Sequence, residues 1–235
     1  MIPDPDYALA TKAYEAHSNM NAMLLLHVIH SRQLEPLSAS VVEQLAKAMI
    51  YCGDYDEPLI LPETITFIRT LLDRTTLPCI TSVDEAIRTS CTNPSSIPVI
   101  CPATTTMSAV YYLNRYIKKF GRFTHSYYAT QRLFLVAYLV ASKYIHANVK
   151  CLVVTPPHEP RLAEEEEAAT QLLRRLGNGL MDNHAINAAQ LRSMEMEFLH
   201  FLDYQLWIGP KSPLQLWSWF HKALDSYSTC YHTRS

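Results

Sequence analysis

The sequence predicts an all-α protein, a bundle of helices around one apolar central helix with helical extensions at both ends. Three observations carry that expectation. The chain has only five glycines in 235 residues. No Asn-Gly or Asp-Gly pair stands between alternating runs, where a hairpin would need one. Long segments free of proline place their apolar residues at helical spacing. With 49% hydrophobic residues, the chain can bury one sizeable core, or one core plus an extension.

Residues from about Tyr7 to His30 mix polar and apolar positions at helical spacing, and Ser38 or Ser40 is placed to cap a second helix reaching about Tyr51. Gly53, Asp54 and Pro58 then break it. Between Pro62 and Pro102 the prolines at 62, 78, 94, 98 and 102 leave room for short helices such as Ser82 to Ser90, and this stretch reads as a connector with no long helix. After Pro102, Thr104 to Phe120 and Ser126 to Ala147 form two long helical segments separated by a turn at Gly121.

Within the second of these, Leu133 to Ile145 holds only two residues, Ser142 and Lys143, that are neither apolar nor aromatic. A helix apolar on all sides must be surrounded by others. It is therefore placed at the centre, with Lys143 near its end, where the amine reaches solvent or a partner. Pro156, Pro157 and Pro160 mark a loop. Arg161 to Leu176 follows as a helix with Glu164 to Glu167 in its early turns and Arg174 and Arg175 in its last, an order that suits the helix dipole. The glutamate run reads as a solvated face.

The segment Asn187 to Leu206 gathers Leu191, Met194, Phe198, Phe201 and Leu202 on one stripe. Glu195 falls inside the apolar arc, about 40° from Leu191 at 100° per residue. Burying a carboxylate unpaired costs several kcal/mol, so Glu195 needs a cation such as Lys143, donors from another protein, or a reach past the stripe into water.

Composition removes several classes of function. A net charge of -2 offers no footprint for nucleic acid. The six cysteines, at 52, 79, 91, 101, 151 and 230, form no CxxC pair and suggest free thiols rather than a metal or redox site. The N-terminus carries Asp4 and Asp6 where a secretory signal needs positive charge, and the only N-glycosylation pattern, at Asn93, is blocked by Pro94. Apolar runs such as Met23 to Ile29 fall short of the roughly 18 residues of a membrane span. A soluble, intracellular protein, nuclear or cytoplasmic, is expected.

No GxGxxG, GxxxxGK[ST] or GxSxG occurs, so catalytic, cofactor-binding and metal residues are all expected to be absent. His27 and His30 stand three apart with no further ligand near them, and Asp182, Asn183 and His184 read as a turn. The aromatics Tyr111, Tyr112, Tyr116, Trp207, Trp217, Trp219 and Phe220 lack the interleaved positive charge of a base-stacking platform and read as core or protein interface.

Three stretches together resemble the cyclin family. Ala109 to Lys119, AVYYLNRYIKK, is similar to the second helix of the cyclin box; Gln131 to Tyr144, QRLFLVAYLVASKY, to the third; and Ile186 to Leu206, INAAQLRSMEMEFLHFLDYQL, to the fifth. They stand in family order. The pattern from Ser38 to Asp54, with Phe67, Pro78 and Ile80, resembles the single-box P- or U-type group more than the two-box cell-cycle cyclins. On this resemblance residues 1–60 are an N-terminal helical extension, 61–208 a cyclin box with an insert at about 149–177, and 209–235 a C-terminal helix and tail.

The resemblance implies a non-enzymatic regulatory subunit that binds and activates a cyclin-dependent protein kinase by positioning the kinase αC helix. It would have no nucleic-acid or membrane partner. Lys143 and Glu195 would hydrogen-bond the kinase, with Tyr144, Leu199, Tyr204 and Leu206 as apolar contacts, and removing both charges should abolish binding while leaving the helical fold intact. Asn114 replaces the family aspartate before Arg115, which weakens the salt bridge expected there. His146 and Ala147 replace an acidic pair. The alternatives are a cyclin-fold transcription factor, which would need a second repeat and a basic face, another helical protein-interaction module, and a helical enzyme, which would need a pocket lined by titrating groups.

Overall fold

The computed structural model describes residues 5–15, 22, 23, 26, 29, 37–53, 57–77, 82–121, 127–153, 162–177, 186–208 and 222. Among these residues there are eight helices and no strand; an isolated parallel bridge joins Thr76 to Val99. The helices are α1 (Pro5–Glu15), α2 (Ala39–Gly53), α3 (Glu57–Thr75), α4 (Val83–Thr92), α5 (Pro102–Phe120), α6 (Tyr127–Val153), α7 (Leu162–Leu176) and α8 (Ala188–Phe201). The expected histidines at 27 and 30, the turn at 182–184, Ser126, and the tryptophans at 217 and 219 lie outside the described residues.

The central helix is α6. Every side chain from Phe134 to Ile145 is buried, and α1, α2, α4, α5, α7 and α8 all pack on it. The third helix reaches it through Phe67, edge-on to Phe134 with centroids 6.4 Å apart, and Thr75, whose hydroxyl lies 2.8 Å from that of Tyr138. An all-round apolar helix buries its whole circumference only when wrapped this way. It also runs further than expected, to Val153, so the first residues of the expected insert continue it and Lys143 lies well inside it rather than near its end.

Helix starts follow local chemistry. Ser38 accepts from the backbone N–H of Val41 at 3.4 Å and starts α2; Ser82 accepts from Glu85 at 3.2 Å and starts α4. Pro102 occupies the first turn of α5, where its missing N–H costs nothing. Asn187 and Gln190 form a reciprocal capping box at the start of α8.

The connector expectation fails at α3, a helix of 19 residues that contains Pro62. Pro62 sits early in the helix and is exposed, so it removes a single backbone bond near an end that frays in any case. The hydroxyls of Thr64 and Thr66 donate to the carbonyls of Ile60 and Pro62, each at 2.8 Å, satisfying acceptors in the same turns. Further on, the turn to α5 includes a cis Ile97–Pro98 peptide.

The ends of α3 and α7 clasp each other. Arg74 donates to the carbonyls of Leu176 and Arg175 at the C-terminus of α7, and Arg175 donates back to the carbonyl of Arg74 at 3.2 Å. Each guanidinium thus meets the negative end of the other helix. Gly177, at φ +67°, turns the chain away immediately afterwards.

Candidate functional site

The last two turns of α5 hold the end of α8. Tyr112, Arg115 and Lys119 follow one another on one face of α5, and each reaches the chain after Phe198. The Tyr112 hydroxyl donates to the carbonyl of Leu206 at 2.8 Å, and burial raises its pKa well above the usual phenol value, keeping it a donor. Arg115 donates to the carbonyls of Gln205 and of Leu202, the latter at 3.2 Å. Lys119 donates to the carbonyl of Phe201 at 3.3 Å and to both carboxylate oxygens of Asp203 at 2.8 Å. Arg115 therefore fastens this joint through backbone carbonyls, a cation at a helix C-terminus, and so does not depend on an aspartate at position 114.

This clamp fixes a turn in which Asp203 and Tyr204 both take left-handed backbone, φ 55° and 56°. The N–H of Tyr204 reaches back to the carbonyl of Leu199 at 2.9 Å, and Leu206 and Ile208 return to the core. An aspartate tolerates that conformation and a tyrosine rarely does. The clamp is what holds it.

One turn before this joint, α8 presents Glu195 to α6. Lys143 Nζ lies 2.7 Å from Glu195 Oε1 and 2.8 Å from Oε2, with only 8% and 3% of the two side chains exposed. Glu195 thus takes the first of the partners its place in the apolar arc demands, and Lys143 is the cation. A third group joins them from α1: the Tyr14 hydroxyl donates to Glu195 Oε1 at 2.5 Å, and Lys143 Nζ lies 5.7 Å from the centre of the Tyr14 ring.

Among the described residues these bonds use two of the three ammonium donors.

The remaining expected contact residues are placed differently. Tyr144 and Leu199 are fully buried and Leu206 nearly so, because each follows the inward side of its element. In this conformation they belong to the core and offer no surface to a partner. Tyr204 is half-buried beside His200, ring centroids 6.2 Å apart. The sequence reading missed Tyr14. Its only local signal is the spacing of Ala10, Ala13 and Tyr14, all buried, along α1.

The described residues contain no group of three or more His, Cys, Asp or Glu able to hold a metal ion, and no helix long and apolar enough to cross a membrane. A groove of about 280 Å³ runs between α2, α3 and the start of α5, lined by Leu37, Val42, Leu72, Thr76 and Pro102, with Arg69 and Asp73 as its charged groups.

Comparison with protein families supports the cyclin family: residues 99–207 match the model described as the cyclin N-terminal domain. The match runs from the bridge at Val99 through α5, α6, α7 and α8 to Trp207, and so contains both Lys143 and Glu195. An all-helical architecture with a central buried helix agrees with it. Comparisons with curated proteins and with solved structures return no match.

Proposed function

We propose that this chain is a single-box cyclin of the P or U type, a regulatory subunit that binds and activates a cyclin-dependent protein kinase through Lys143 and Glu195. The box would span 61–208, with 1–60 as an N-terminal extension, 149–177 as an insert and 209–235 as a C-terminal helix and tail. The observation that carries this reading is the convergence of the two charges, from α6 and α8, inside the segment that matches the family model. A buried ion pair is a poor source of stability, because desolvation offsets most of its attraction. Its presence between two largely apolar helix faces is better accounted for by a partner that it must recognise.

In this mechanism the rigid α5–α6–α8 unit holds the kinase αC helix inward, so that the kinase's own glutamate meets its ATP-positioning lysine. Lys143 and Glu195 supply directional hydrogen bonds and the half-buried Tyr204 an apolar contact, while Tyr144, Leu199 and Leu206, buried in this conformation, would add theirs only if that face opens. The chain contributes binding energy and no reacting group.

A panel of purified, monomeric cyclin-dependent kinases provides the test. Phosphoryl transfer to a substrate peptide is measured with and without the full chain. At least one kinase gains kcat/KM and co-elutes with the chain in gel filtration. If every kinase is neither bound nor activated, the assignment is wrong.

A further inference from the structure

The pair that the proposed function assigns to a kinase is already covered, by a helix of the same chain. The first helix packs on α6 and α8, the two elements that carry Lys143 and Glu195. Its buried face is Ala10, Ala13 and Tyr14, while Leu9 on its outer side is 46% exposed. Tyr14 closes the seat: its hydroxyl binds Glu195 at 2.5 Å and its ring faces the ammonium of Lys143. A partner therefore cannot reach either charge while α1 is in place.

The hold of α1 is weak for an element that covers an ion pair. It is 11 residues long, a length at which a helix depends on packing because isolated helices below about 12–15 residues are marginal. Among its described side chains the buried ones are two alanine methyl groups and one aromatic ring. Further along the chain Ala22 and Ile29 are buried as well, at 1% and 0% exposure.

We infer that α1 is a removable cover, and that the seat beneath it is a helix-docking site exchanged between α1 and a helix of the kinase. The occupant is defined by what α1 supplies: a short helix with small residues facing α6 and α8, and a hydrogen-bond donor aimed at Glu195. The identity of the incoming helix rests on the proposed function; the removable cover rests on α1 alone. When the seat is open in only a fraction of molecules, the apparent dissociation constant for a partner rises by the inverse of that fraction.

Two measurements on the full chain test this. Hydrogen exchange reads the opening directly: a cover lifted in roughly 1–10% of molecules gives the amides of Leu9 to Tyr14 protection factors of only about 10–100, while Leu135 to Ala141 in α6 exchange orders of magnitude more slowly. Equal protection in the two helices, meaning that α1 opens only with the whole fold, overturns the inference. The second measurement is binding to the kinase panel. Ala13→Glu drives α1 from its seat and tightens binding by roughly ten- to hundredfold. Tyr14→Phe, which keeps the packing and removes the hydroxyl, tightens it by less. Unchanged or weaker binding of both variants to a kinase that wild type binds also overturns it. Opening of α1 without binding of any kinase to wild type or variants supports the cover and removes the kinase assignment.

Discussion

At Lys143 the ammonium is nearly out of water, and the Glu195 carboxylate, with the Tyr14 ring beside it, makes that tolerable. Substituting Lys143 by Met alone leaves Glu195 buried beside the Tyr14 hydroxyl, at a cost of about 3–5 kcal/mol, read as a fall in the urea midpoint. Replacing both charges with near-isosteres, Lys143→Met with Glu195→Gln, restores most of that loss, because the amide oxygen still accepts from Tyr14. The fold thus tolerates removing the two charges together far better than removing either one. Much of this was legible beforehand. The position of Glu195 in an apolar arc demands a partner, and Lys143 is the one charge between Leu133 and Ile145. Tyr14 was not legible, since it meets Glu195 across 181 residues of sequence and no local period records such a contact. Nor did the stripe of α8 reveal how deeply Leu199 is buried, and Leu206, in the turn beyond the helix end, lies on no helical arc at all.

Among the elements, the helix ends carry the most information. Ser38 announced its helix because the first turn needs an acceptor, a need that is local; Ser82, Asn187 and Pro102 meet the same local needs at the starts of α4, α8 and α5. Pro62 misled: proline costs a helix little near its start, and the two threonine hydroxyls beside it occupy carbonyls in the affected turns. The clasp between α3 and α7 depends on Gly177, where a Cβ would lie 3.0 Å from Arg74 Nη1 and φ is +67°. Gly177→Ala therefore costs about 1–2 kcal/mol and lowers the melting temperature by a few degrees in a calorimetric scan. At the α8 turn, the hydrogen bond from Lys119 holds the Asp203 carboxyl below its ordinary 3.8. A folded value below the unfolded one stabilises the fold above the ordinary carboxylate range, and this contribution disappears as pH falls through the lower folded value. An NMR titration of Asp203 should show that depressed midpoint, and Lys119→Met should return it toward the ordinary value.

For the whole molecule, one helix organises the rest. Wrapping α6 fixes α5 and α8 against each other, the α5 clamp fixes the turn after α8, and together they bring two charges from distant parts of the chain to one seat that α1 closes. The bundle and its centre were predictable from composition and period; the covering of the seat was not, because it is a matter of tertiary placement. The account stands on Lys143 and Glu195 being the groups that a kinase recognises. Its most direct test is the dissociation constant, by calorimetry, of the best-activated kinase for wild type and for the folded Lys143→Met/Glu195→Gln variant. A loss of about 3 kcal/mol or more, over a hundredfold in affinity, is predicted; affinity unchanged within a few-fold, with the variant still folded, would contradict it.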